Sequence, residues 1–124
     1  MKKKLAKIDR AGLSIEREML TYWIYVKYEE GGGQRVGGHV LDTYNQDKER
    51  REGTQYGCEI IRIILIAFKI NDLHELKGRV IWIYGEGEGL KFKPLGISPL
   101  RVDSKEDHII IFDDIAKEYI GGLL

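Results

Sequence analysis

The segment from Thr54 to Ile70 limits the folds open to this chain more than any other. It is rich in isoleucine, yet it runs well past the ~5–6 residues of an ordinary strand, and its charged residues Glu59, Arg62 and Lys69 recur at spacings of three and seven. Those spacings fall on one narrow stripe of a helix and on no single face of a strand. The pattern predicts one long central helix over about 55–70, with Thr54 as its N-cap and Asn71-Asp72 as its stop. Outside the polar stripe this helix is apolar nearly all the way round, and one small sheet covers only about half of a helix's circumference. A further cover is required. The C-terminal segment is one candidate and a second copy of the chain, through an isologous interface, is another, so a homodimer or higher homo-oligomer is expected.

The rest of the chain reads as strands and turns. Leu20, Tyr22, Ile24, Val26 and Tyr28 alternate with Thr21, Trp23, Tyr25 and Lys27, which predicts a half-buried strand. Glu29 to Gly33 then turns the chain into a returning strand, Gln34 to Thr43, with a bulge or close backbone approach at Gly37-Gly38. Leu5 to Ile15 predicts an earlier strand, broken at Gly12, and Asn45 to Glu52 a polar connector. Arg79 to Tyr84 is a nearly continuous apolar run, the signature of a central strand covered on both faces. After the Gly85 to Gly89 turn, Leu90 to Ile97 predicts a hairpin strand with Leu90 and Phe92 opposite Lys91 and Lys93. Asp103 to Asp107 reads as a charged loop, His108 to Phe112 as a short strand and Asp113 to Tyr119 as a helical turn. The expected fold is α+β: an antiparallel sheet of about five to six strands packed on the central helix, with a short C-terminal helical segment. With no repeat or linker, residues 1–124 are expected to form a single ligand-binding domain.

Charge excludes some function classes. Twenty basic side chains balance twenty acidic ones, which removes the long-range attraction of a general nucleic-acid or membrane binder, so no nucleic-acid polymer and no membrane is expected as partner, and any polyanion site must be local. The basic Met1-Lys2-Lys3-Lys4 is followed by Lys7, Asp9 and Arg10 before an apolar run can form, so no signal peptide is expected. The longest apolar stretch, Ile60 to Phe68, falls far short of the ~20 residues of a membrane span. A single cysteine, Cys58, allows no intrachain disulfide and suits the reducing cytoplasm.

Catalytic chemistry has no positive signal. His39, His74 and His108 are scattered, with no metal-ligand spacing, so neither a metal nor a cofactor is expected. Ser98 follows Gly96 but precedes Pro99 and Leu100, which leaves a nucleophile-elbow pattern incomplete. Cys58 near a helix start is either a reactive thiol or, more commonly, a small apolar packing residue. Anion binding has more support: Lys48, Arg50 and Arg51 lead into Gly53-Thr54, where the predicted helix offers backbone N–H groups and the positive end of its dipole. Against that stand Asp47, Glu49 and Glu52, which make the same stretch read as a solvated loop of mixed charge. Arg35 and His39 share a face of the glycine-rich strand that contains Gly37 and Gly38, and Lys91 and Lys93 share a face with Phe92 on the other; these surfaces can hold a phosphate and a base, or simply face water.

Two short motifs carry a resemblance. Gly37 to Asp42 reads Gly-Gly-His-Val-Leu-Asp, and Arg51 to Gly57 reads Arg-Glu-Gly-Thr-Gln-Tyr-Gly ahead of Glu59, Ile60 and the apolar helix. From the Leu20 strand to about Ile97 the chain resembles the first Thoeris anti-defence protein family, phage sponges that sequester nucleotide signals made by bacterial TIR-domain enzymes. The resemblance implies an oligomer built on dimers in the bacterial host cytoplasm, holding glyco-cyclic ADP-ribose, and in some relatives cyclic oligonucleotides, unmodified in pockets between protomers. Such a site would join Arg50, Arg51 and Thr54 at the helix start to aromatic faces drawn from Trp23, Trp82 and Phe92. Two other functions compete: a protein-binding inhibitor of a host defence protein, and a small phosphodiesterase, which the missing metal motif disfavours.

Overall fold

The computed structural model describes residues 1–101 and 109–119. Among the described residues eight strands and two α-helices follow in the order β1 (Lys2–Glu16), β2 (Met19–Tyr28), β3 (Gly33–Val40), β4 (Asp42–Asn45), β5 (Arg50–Gly53), α1 (Gln55–Ala67), β6 (Val80–Glu86), β7 (Lys93–Pro99), β8 (Ile110–Ile111) and α2 (Phe112–Tyr119). The architecture is α+β. Six strands form one sheet in the order β3-β2-β1-β6-β7-β8, every neighbouring pair antiparallel, while β4 and β5 make a separate hairpin. Two three-stranded meanders are thus joined edge to edge at β1 and β6, and α1 lies on the chain that links them.

Period-two alternation decides which face is covered. Ala6 and Ile8 of β1, Tyr22, Ile24 and Val26 of β2, Val36 of β3, Ile81 and Ile83 of β6 and Ile97 of β7 are buried on one face beneath Tyr56, Ile60 and Ile64 of α1. Each buried isoleucine contributes about 1.5–3 kcal/mol relative to leaving it in water. Thr54 caps α1, its Oγ1 accepting from the Gly57 N–H at 2.9 Å and donating to the Leu41 carbonyl at 2.8 Å. Gly57 is required there, because a Cβ would come within 2.1 Å of the Leu41 oxygen.

Several expectations change. α1 is 13 residues long and stops at Ala67, so the central helix over 55–70 is shortened. Its end is a Schellman turn: the Lys69 N–H reaches Ile66 O at 3.1 Å and the Ile70 N–H reaches Leu65 O at 3.0 Å, with Lys69 in the left-handed region at φ 54°. β1 runs unbroken through Gly12, its irregularity lying instead between Ile8 and Arg10. The polar stretch from Asn45 to Glu52 is no plain connector, since it closes the β4–β5 hairpin. β6 is covered on one face only, with exposed Val80 and half-buried Trp82 and Tyr84 alternating with buried Ile81 and Ile83. Leu90 stands clear of the strand, which begins at Lys93, and Phe112 opens α2 rather than closing a strand. The charged loop Asp103 to Asp107 and His108 lie outside the described residues.

Candidate functional site

The helix start gathers Arg50, Arg51 and Thr54, and both arginines are paired with carboxylates of the same hairpin. Register pairs Asn45 with Arg50 and Tyr44 with Arg51, and this brings Arg51 Nη2 to 2.8 Å from Asp42 Oδ1 in a largely sheltered contact. Asp42 also accepts the Leu20 N–H at 3.2 Å, so the Arg51–Asp42 pair ties the hairpin to β2. The Arg51 hydrogen bond, reinforced by the Leu20 amide, holds the Asp42 carboxyl below its usual range. Arg50 and Lys48 both turn to Glu52, at 3.2 and 3.4 Å. The Gly57 N–H is taken by the cap. These contacts brace the hairpin against the helix start.

The other predicted residues occupy three further places. Gly37 and Gly38, both at positive φ (82° and 77°), form a bulge opposite Thr21 to Trp23, and a Cβ on Gly37 would strike the Tyr22 ring at 2.5 Å. Arg35 lies on the uncovered face of β3 and pairs with Glu16 at 2.7 Å. Trp82 sits on the same face of the sheet, its indole N–H donating to the Leu100 carbonyl at 3.2 Å. Phe92 is core, edge-on to Tyr28 at 5.9 Å, while Lys91 and Lys93 are exposed on either side of it. Phe92 and Tyr28 help line a cavity of about 570 Å³ beneath the Gly31–Gly33 turn, where the one lysine, Lys4, is paired with Glu30 at 2.6 Å. Burial raises the Tyr28 hydroxyl to about 12, so it stays a donor, toward Gln34.

The Gly37-Gly38 bulge parts His39 from Arg35, so the two do not share a strand face as expected, and His39 is a packing histidine on the covered face. Its Nδ1 lies 3.0 Å from the Tyr22 hydroxyl and its ring sits against Phe112 and Tyr56, joining β3 to both helices. Burial pushes its pKa down, partly opposed by Asp113. Cys58 is exposed on α1.

A second cavity, also about 570 Å³, opens where α1 ends, β6 begins and β7 ends. Its rim carries Lys69, Arg79 and Arg101, and no carboxylate among the described residues lines it. Arg79 is held by its backbone, whose N–H donates to Leu76 O at 3.0 Å and whose carbonyl accepts from Ile8 N–H at 2.8 Å. Its Nη1 donates to the Phe68 carbonyl at 2.9 Å, which aims the guanidinium along the cavity wall. Among the described residues none of the three cations has a carboxylate partner. The negative end of the α1 dipole, about half an elementary charge, answers only part of their combined charge. Val80, Pro99 and Leu100 supply an apolar wall. Charge and wall together suit an anion that carries an apolar or aromatic body.

These three residues were not candidates from sequence, because they are far apart in the chain. A signal does exist: Lys69 closes the apolar run of α1, Arg79 opens that of β6 and Arg101 follows that of β7, so antiparallel packing brings three basic run-ends together.

Comparison with known proteins identifies nothing similar: no family model, no curated protein and no solved structure matches the chain. Among the described residues there is no cluster of His, Cys, Asp or Glu placed to hold a metal ion, and no helix is long and apolar enough to cross a membrane.

Proposed function

We propose that the protein captures a phosphorylated nucleotide-type small molecule without transforming it, and that the cavity rimmed by Lys69, Arg79 and Arg101 is where it does so. The carrying observation is the convergence of three cations, unpaired among the described residues, on one cavity of a chain whose net charge is zero. Phosphate or pyrophosphate oxygens would engage the Arg79 fork and Lys69, and the base or ribose would lie on Val80 and Leu100. Capture needs no turnover: a protein in excess of its signal, binding at nanomolar Kd (about −12 kcal/mol), lowers the free signal by mass action. The resemblance to Thoeris anti-defence sponges makes glyco-cyclic ADP-ribose the first ligand to try and cyclic oligonucleotides the second. A dimer or higher oligomer would close this open cavity from outside.

Calorimetry with cyclic ADP-ribose isomers and cyclic oligonucleotides tests the proposal. Tight binding of one of them is expected, with the original molecule recovered after heat denaturation. Binding of none would refute it, and recovery of a cleaved product would make the protein an enzyme.

A further inference from the structure

Opposite α1, the six-stranded sheet has a second face that no helix among the described residues covers. Along β1 it presents Lys3, Leu5 and Lys7, then, past the irregularity between Ile8 and Arg10, Arg10, Gly12 and Ser14. Register sets Tyr84 and Trp82 of β6 beside Lys3 and Leu5, and Tyr25 and Trp23 of β2 beside Arg10 and Gly12. Two aromatic pairs therefore flank β1 diagonally, roughly 15 Å apart at ~3.3 Å per residue. The Trp23 ring lies over Gly12, whose missing side chain makes the room: a Cβ there would sit 3.2 Å from the indole. Its N–H is anchored on Ser14 Oγ at 3.2 Å, as that of Trp82 is on Leu100 O at 3.2 Å. The rings are thereby fixed against the sheet.

Cations run between them. Lys3 Nζ is 4.4 Å from the Trp82 ring centre, Arg10 Cζ 5.5 Å from Tyr25 and Arg35 Cζ 5.9 Å from Trp23. Lys27 and Arg35 are paired with Asp9 and Glu16, and Glu29 and Glu16 stand in the hollows beside Trp82 and Trp23, whereas Lys3, Lys7 and Arg10 have no carboxylate within ion-pair distance among the described residues. A two-fold contact between two copies through this face would set that row of like charges against itself, which disfavours a second protomer as its occupant. One mononucleotide is too short for groups spread over ~20 Å of strand. A chain of phosphates and splayed bases matches both the cation row and the anchored rings, because every base offers a π-face for stacking.

We infer that this uncovered face binds single-stranded nucleic acid. The surface adjoins the Lys69–Arg79–Arg101 cavity at Val80 and Leu100 but draws on none of its three cations. The zero net charge predicts no polymer partner, and it is the segregation of charge on β1 that reverses that expectation locally.

Fluorescence anisotropy with labelled DNA and RNA strands of about 12 nucleotides tests it, using the full chain at ~50 mM salt. Binding with Kd of roughly 1–100 µM is expected, with log K falling against log salt at a slope near −2, about 0.7 for each of three contacts. Arg10→Glu and Lys7→Glu, surface changes that leave circular dichroism unaltered, should each flatten the slope by about 0.7 or more. Trp23→Phe should bind less weakly than Trp23→Ala, which should lose about 5- to 150-fold. Arg79→Ala should leave oligonucleotide affinity unchanged even if the cavity proves empty of function. The DNA and RNA arms decide which sugar is preferred. Absence of binding, equal binding of duplex, a Trp23→Ala protein that binds as tightly as the parent, or a dimer in ultracentrifugation that Lys7→Glu dissociates would each overturn the inference.

Discussion

The two ends of α1 carry similar side chains and put them to opposite use. At its start, Arg50, Arg51 and Lys48 stand within a hairpin that also contains Asp42 and Glu52, so each cation finds a carboxylate at 2.8 to 3.4 Å. At its end, Lys69, Arg79 and Arg101 flank three different elements, and among the described residues no carboxylate joins them at the cavity they rim. Basic residues dense in sequence are thus consumed locally, while basic residues sparse in sequence are gathered by the fold and left available. A binding site is better sought where tertiary structure concentrates charge than where the chain does.

The contrast can be broken most severely at Gly57. Gly57→Ala would drive a Cβ into the Leu41 carbonyl and force the helix start from β4, at a cost of about 3 kcal/mol; urea unfolding reads this as a lower midpoint. An unchanged midpoint would mean that the helix start is not braced as described. Next, Arg79→Ala should weaken capture of a phosphorylated ligand by about 10- to 100-fold, the worth of a charge-assisted hydrogen bond, with little change in melting temperature. Arg51→Ala should do the reverse, lowering the melting temperature and sparing affinity. If the two variants exchange behaviours, the roles of the two ends have been assigned backwards.

Lys69 sharpens the comparison further. The C′ position of a Schellman turn favours glycine, and a left-handed non-glycine residue costs roughly 1–2 kcal/mol. Lys69→Gly should therefore raise stability by about 0.5–1 kcal/mol while reducing ligand affinity; a variant that is both more stable and equally avid would show the lysine to be idle. The smallest effect concerns pH. Asp42 is held below its usual range chiefly by Arg51, so the pair's contribution is fully present above the ordinary carboxylate pKa near 4 and is lost as pH falls through the lower folded value. Melting curves between pH 2 and 6 should show this acid limb, and Arg51→Met should flatten it.

Much of the sheet was legible. Period-two alternation marks β2 because buried Tyr22, Ile24 and Val26 alternate with the more exposed Trp23, Tyr25 and Lys27, and Thr54 announces the start of α1 through its cap. The end of α1 was not legible, because Phe68 and Ile70 are as apolar as the helix itself and the turn is set by backbone hydrogen bonds on Leu65 and Ile66. The β4–β5 hairpin hid for the opposite reason: Arg51–Asp42 and Arg50–Glu52 contacts hold it, so no buried apolar period reveals it. Trp82 and Tyr84 made β6 read as covered on both faces, although large aromatics tolerate half-burial. Of the candidate site, the residue types were readable and their availability was not, since pairing depends on register.

Titration calorimetry of one cyclic ADP-ribose panel against the parent, Arg50→Ala/Arg51→Ala and Arg79→Ala proteins puts the claim about the two helix ends to the most direct test. The account predicts that a ligand held by the parent is held almost as tightly by a folded Arg50→Ala/Arg51→Ala protein and at least tenfold more weakly by Arg79→Ala. Retained affinity in Arg79→Ala together with its loss in the double variant would contradict it.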